Sequence, residues 1–274
     1  MRIEELFDHP QPLPSMPRIV QELISSFDAD EIDFRRMGDK LSTDPVLSAR
    51  VLRLANSAYY HCSRPIGTVD DALTMLGFGA VRTLVISSGL AGSFRELKGL
   101  DLPEFWRFSL LAAVAARALS RPARLNGEVA FTVGLMHAIG QLVMYTRMPD
   151  EMQHIARVAS TFDPLRLEVE RRALGYTHAD VGAMLASRWR FPPLFVTAIA
   201  GFPAPLASPA FEPMAALLQL AIWRARGEQN GDSDEQLASS MPAATAAAIG
   251  LSAESVLALE PPSKLAEGLE SLLA

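Results

Sequence analysis

"TDPVLSARVLRLANSAYY", residues 43–60, decides the fold class. The Asp44 side chain is placed to accept from first-turn amides, and Pro45 has the fixed φ that suits the first helical position. Leu47, Val51, Leu54 and Ala58 then recur at helical spacing, which predicts an amphipathic helix with those residues on its buried face. The next stretch repeats the logic. Thr68 precedes "VDDALTML", Asp71 follows three residues later as an acidic partner, and Gly77 stops the helix. Another helix follows in "AVRTLVISSGLAGSF", residues 80–94. Residues 104–119 are apolar nearly all round, interrupted by Arg107, Ser109 and Arg117, which predicts a central helix. Further helices are predicted over 126–146, 150–160, 164–174, 178–189 and 192–201. No sustained alternation with turn punctuation occurs, so little or no sheet is expected. The four prolines of "FPAPLASPAFEP", residues 202–213, read as a connector, and "GEQNGDSDE", residues 227–235, as a polar loop in the C-terminal part. The fold class is all-α.

The composition agrees with a folded chain: 274 residues, 49% apolar and 20% charged. The longest strongly apolar run, Leu110–Ala116, is far short of the ~20 residues of a membrane helix. "MRIEELFDHP" carries acidic residues where a secretory signal would be apolar, and Cys62 is a single cysteine with no intrachain partner. These features predict a cytoplasmic protein without membrane attachment. The net charge is −6 and no basic block stands out, which weakens nucleic-acid binding without excluding a local patch. Arginine outnumbers lysine 22 to 3, which reflects a GC-rich genome and not a function.

Several segments, in order, resemble one family. "LPSMP" at residues 13–17, "TDPVLSARVLRLANSAYY" and "IGTVDDALTMLGFGAVRTL" at 66–84 are similar to the HDOD domain of bacterial signalling proteins. The likeness continues through "FWRFSLLAA", "GLMHAIGQLVMY" and "YTHADVGAMLASRWRFP". The resemblance implies an N-terminal helical lobe packed on a degenerate HD-type bundle. It divides the chain into an N-terminal segment 1–11, an HDOD domain 12–203 and a C-terminal helical extension 204–274. The related enzymes are the HD phosphohydrolases, including the HD-GYP cyclic-dinucleotide phosphodiesterases. HDOD domains themselves are regarded as non-catalytic output modules, linked to motility, virulence and cyclic-di-GMP networks. At this length no receiver or cyclase domain is expected beside the HDOD region.

The related hydrolases hold one to three metals with histidines and aspartates, and a metal-bound water attacks phosphorus. Position by position, the resemblance places Phe108 of "WRFS" at the first ligand and His137-Ala138 at the His-Asp pair. Gln141 stands where a lysine often follows, and His178 in "YTHADVG" matches a ligand. Phe202-Pro203 takes the place of a His-His pair, and Ile222 stands near the last aspartate, where the match is loosest. Only His137 and His178 survive as ligand types. Two imidazoles fall short of the three protein ligands of a catalytic zinc site, so neither metal, cofactor nor catalysis is expected. His137 also reads as a core histidine bonded to a carbonyl, and His178 as part of an ordinary helix start capped by Thr177.

Three functions compete. The first is a non-catalytic regulatory protein that acts by binding signalling proteins. The second is a residual phosphohydrolase or cyclic-nucleotide sensor, with Arg82 and Arg188 as candidate contacts; both also read as solvated surface arginines. The third, DNA binding through "DALTML-GFG-AVRTLVISS", is disfavoured, because a packed helical hairpin explains the same residues and the second helix offers few base-reading groups. If Phe108, Ala138 and Phe202 replace ligands that once converged on a metal, they should converge on a small apolar space with His137 at its edge. Ala138→Asp would then place an almost unpartnered carboxylate in the core, at a cost of about 1–3 kcal/mol.

Overall fold

The computed structural model describes residues 2–8, 13, 18–26, 34–60, 62, 64–94 and 96–269. A 3-10 turn at Ile3–Leu6 opens the chain. The N-terminal lobe consists of α1 (Arg18–Ser25), α2 (Phe34–Ser42), α3 (Pro45–Ala55), α4 (Val69–Leu76) and α5 (Phe78–Ser93). The larger lobe contains α6 (Leu102–Ser120), α7 (Gly127–Met136), α8 (Ile139–Arg147), α9 (Pro149–Val158) and α10 (Arg166–Leu174). It continues with α11 (His178–Arg188), α12 (Pro193–Gly201) and α13 (Pro213–Asn230). Four short helices follow: α14 (Asp234–Ser240), α15 (Ala243–Ala248), α16 (Ala253–Leu257) and α17 (Pro262–Leu265). Among the described residues there is no strand, only one isolated bridge between Leu97 and Leu100.

The caps form as the residue types dictate. Asp44 accepts from the amides of Val46 and Leu47 at 3.0 Å, and Thr68 from that of Asp71 at 3.0 Å. Gly77, at φ +81°, ends α4 and starts α5, a left-handed turn that a side chain would strain. Of the predicted apolar face, Leu47, Val51 and Leu54 are buried on α3. The helix stops at Ala55, so Ala58 instead starts a 3-10 turn, Ala58–Tyr60. The predicted loop 227–235 is also shorter than its polarity suggests: Gly227 to Asn230 remain in α13, and the chain turns at Gly231.

The central helix is α6, packed against α7 along one side and α13 along another. Residues 204–274 therefore supply a core helix of the larger lobe, since α13 also packs on α12 and α7. The lobes meet chiefly through α5 and α7, and one continuous apolar core runs through both. The polar groups of α5 face that interior: Arg82, Thr83, Ser87 and Ser88 are all buried. The α4–α5 pair is thus a packed hairpin whose second helix keeps these side chains inside the protein.

One predicted helix is in fact two. The stretch 126–146 breaks at His137-Ala138, where α7 ends and α8 begins. Residues 127–147 are apolar and long enough to cross a membrane by composition, yet 94% of the most apolar window is buried within the protein, so it serves as core.

Candidate functional site

The break between α7 and α8 places His137 inside the larger lobe. Its Nδ1–H donates to the Gly134 carbonyl at 2.7 Å, which leaves the Nε2 lone pair as the free edge of the ring. Burial pushes the His137 imidazole down to about 3, only partly offset by that hydrogen bond, so the ring is neutral at pH 7.

His178 is held as firmly by different means. Thr177 and Asp180 form a capping box at the start of α11, so His178 becomes its first residue. Its backbone N–H and its ring Nδ1–H both donate to Oε2 of Glu170, at 2.8 and 2.7 Å. Oε1 of Glu170 accepts from Nε of Arg166 at 2.8 Å, one helical turn back on α10. Arg166 and Glu170 are both fully buried, at 1% and 0% exposure. Burial alone would raise the Glu170 pKa, but the His178 ring and the Arg166 guanidinium more than offset it and hold the carboxyl below its ordinary value. Arg166 also donates to the Ala159 carbonyl at 2.8 Å through Nη1.

These elements enclose a cavity of about 20 Å³. Phe108, His137, Ala138, His178, Phe202 and Ile222 all line it, so the six positions set apart in the sequence converge. Phe202 lies edge-on to His137 with centroids 6.1 Å apart, and Phe108 lies 5.7 Å from His137. Phe108 in turn stacks on Phe162 at 4.1 Å, a partner the sequence did not suggest. Phe202 also lies 6.2 Å from His178, so the two phenyl rings pack against the imidazoles.

The pocket is not the apolar space that the replacements alone suggested. Gln141, Asp163, Arg166 and Arg226 complete its wall. Nη2 of Arg166 and Oε1 of Gln141 are buried without a hydrogen-bond partner among the described residues. Donor and acceptor together, in a volume of that size, fit one water molecule. A catalytic divalent cation does not fit this set. Two imidazoles are its only neutral nitrogen donors, and Asp163, whose Oδ1 accepts from the Leu165 amide at 2.7 Å, is the single carboxylate among the described wall residues. Two guanidinium groups in the wall repel a cation, and no cluster of three or more His, Cys, Asp or Glu able to hold a metal exists among the described residues.

The sequence missed Arg166, Glu170 and Arg226. An Arg-Glu pair at i,i+4 ordinarily marks a solvent-facing helix side, and only the packing of α10 under α11 turns it inward. The arginines that the sequence did select lie elsewhere. Arg82 is buried in the N-terminal lobe, not solvated; its Nη1 donates to the Ser26 carbonyl at 3.3 Å and its guanidinium lies over Phe78. Arg188 pairs with Asp8 at 3.1 Å and covers the Phe7 ring. Neither lines the cavity. A carboxylate at position 138 would also meet Arg166 and Arg226, not His137 alone, so the penalty expected of Ala138→Asp loses its premise.

A model of the HDOD domain matches residues 13–204. The chain belongs to the HDOD domain family. A candidate phosphohydrolase from Shewanella amazonensis SB2B is 31% identical and superposes with a TM-score of 0.80, over 99% of this HDOD chain and 97% of that one. A protein from Marinobacter aquaeolei VT8, described as a candidate signal transduction protein, shares the fold at 23% identity and a TM-score of 0.76, over 100% of this chain and 60% of that one. An uncharacterized protein of Treponema pallidum (strain Nichols) is 22% identical over 184 residues, 66% of this chain. The match covers 35% of that protein's length.

Proposed function

We propose that this HDOD protein is a non-catalytic regulatory component of bacterial signal transduction, cytoplasmic, acting by binding other signalling proteins in motility, virulence or cyclic-di-GMP networks. The observation that carries the reading is the refilled pocket: phenyl rings, a methyl group and arginines line the cavity where an HD hydrolase of this fold would need several carboxylates, and Asp163 is the single carboxylate among the described wall residues. The description of the Marinobacter protein points the same way. Hydrolysis through a metal would need ligands and space that these residues occupy.

A residual phosphohydrolase is the second reading, and one feature favours it. Both surviving histidines donate Nδ1–H to a fixed acceptor, Gly134 or Glu170, the support that metal-bound histidines ordinarily have. The description of the Shewanella protein belongs to this side. A single assay separates the two. Cyclic dinucleotides and p-nitrophenyl phosphate, incubated with the full chain and added manganese, should be hydrolysed no faster than with the His137→Ala variant. Turnover that disappears in that variant would establish the second reading instead.

A further inference from the structure

The small cavity does not stand alone. A cleft of about 410 Å³ opens outside it, and Leu167, Phe202, Ile222 and Arg226 belong to the walls of both. That volume lies within the range of small-molecule sites, roughly 300–1,000 Å³. Its walls are of two kinds. Trp223, Phe202, Pro203 and Pro242 supply flat, rigid apolar surface, while Arg226 on α13 supplies charge.

Arg226 is a half-buried cation with the Asp163 carboxylate near it but in no ion pair among the described residues. Its Nε–H donates to the Phe162 carbonyl at 2.8 Å, which fixes the plane of the guanidinium. Its Nη groups make no hydrogen bond to the described residues, and no carboxylate among them forms an ion pair with it. Arg166, by contrast, is matched by Glu170. Burial lowers the Arg226 pKa and Asp163 acts against that, but an arginine stays protonated in a protein. A planar fork of N–H donors on a fixed stem, at the wall of a cleft and partly removed from water, suits recognition of a carboxylate or phosphate. Asp232 also lines the cleft and disfavours a second acidic group on the ligand, away from the one that pairs with Arg226.

We infer that this cleft binds a small organic acid, a ring-bearing molecule whose single carboxylate or phosphate pairs with the Nη groups of Arg226 and whose ring lies against Trp223 and Phe202. The ring occupies the outer cleft, because the inner cavity admits no more than a water. The site would make ligand occupancy an input to the regulatory module, whatever partner reads it. It does not depend on the absence of hydrolysis, so failure of one reading leaves the other intact.

Thermal unfolding and calorimetry of the full chain test this with four probes: benzoate, phenyl phosphate, inorganic phosphate and neutral benzyl alcohol. The two ring acids should bind one per chain and raise the unfolding midpoint; their relative affinity tells carboxylate from phosphate. Inorganic phosphate and benzyl alcohol should each bind at least tenfold more weakly. Arg226→Gln should weaken the ring acids at least tenfold. Asn230→Trp, on the exposed rim of the same cleft, should block them while leaving Arg226 and its bond to Phe162 in place. Binding of neither acid, equal binding of benzyl alcohol, or unchanged binding in a folded Asn230→Trp variant would overturn the assignment.

Discussion

Glu170 carries the most exposed consequence at the level of single residues, because three hydrogen bonds converge on its fully buried carboxylate. Glu170→Gln keeps the shape but leaves the Arg166 guanidinium buried without its counter-charge. A loss of about 3–5 kcal/mol is expected, the usual result of removing one partner of a buried pair, read by urea unfolding at pH 7. The same carboxylate has a pH signature. Its folded pKa is depressed, so its stabilisation is present above the unfolded value of about 4.3 and is lost as pH falls through the lower folded value. The acid limb of stability below about pH 4 should therefore flatten in the variant. His137 acts in a higher window. Its pKa falls from 6.5 to about 3 on folding, so between those values the unfolded chain takes up a proton that the native ring refuses. Stability is full above pH 6.5 and should decline by up to about 1.4 kcal/mol per pH unit below it. His137→Gln should remove that slope, as measured by unfolding free energies from pH 7 to 4. An identical slope in both proteins would show that the ring is accessible to protons.

At the level of elements, α8 and α11 approach each other backbone to backbone at Gly140. A Cβ on residue 140 would sit 2.0 Å from the His178 carbonyl oxygen and 2.6 Å from the Gly182 nitrogen. Both obstacles are backbone, so the helices themselves must separate. Gly140→Ala should cost more than the ~1–3 kcal/mol of ordinary overpacking, and it should perturb the His178–Glu170 contact, visible as a shifted His178 ring resonance. A midpoint equal to that of the parent chain would mean that α8 and α11 are not in close contact. Much of this level was legible in advance. Asp44, Thr68 and Thr177 mark helix starts because their side chains satisfy amides that a helix leaves open. The break at His137-Ala138 was not legible, since neither glycine nor proline occupies it and the flanking residues are uniformly apolar. It is made by tertiary packing together with the bond from His137 to the Gly134 carbonyl. Site composition divided in the same way. The resemblance located Phe108, Ala138 and Phe202, whereas Arg166, Glu170 and Arg226 became visible only when α10 and α13 were seen to turn inward.

For the whole molecule, the division into lobes is not a division of the chain. The 3-10 turn at Ile3–Leu6 precedes the N-terminal lobe in sequence but packs on α8 of the larger one. There Leu6 is fully buried, and its carbonyl accepts from Arg147 Nε at 2.8 Å. α13, beyond the matched residues 13–204, is likewise a wall of both the cleft and the inner cavity. The regulatory reading therefore concerns one continuous apolar core with a reworked pocket in its larger lobe. Elemental analysis of the untagged chain, purified without chelator and equilibrated with manganese and zinc, tests that reading most directly. The account predicts well under one metal per chain, with no difference between the parent protein and a His137→Ala, His178→Ala double variant. About one metal or more per parent chain, lost in a double variant that remains folded, would contradict it.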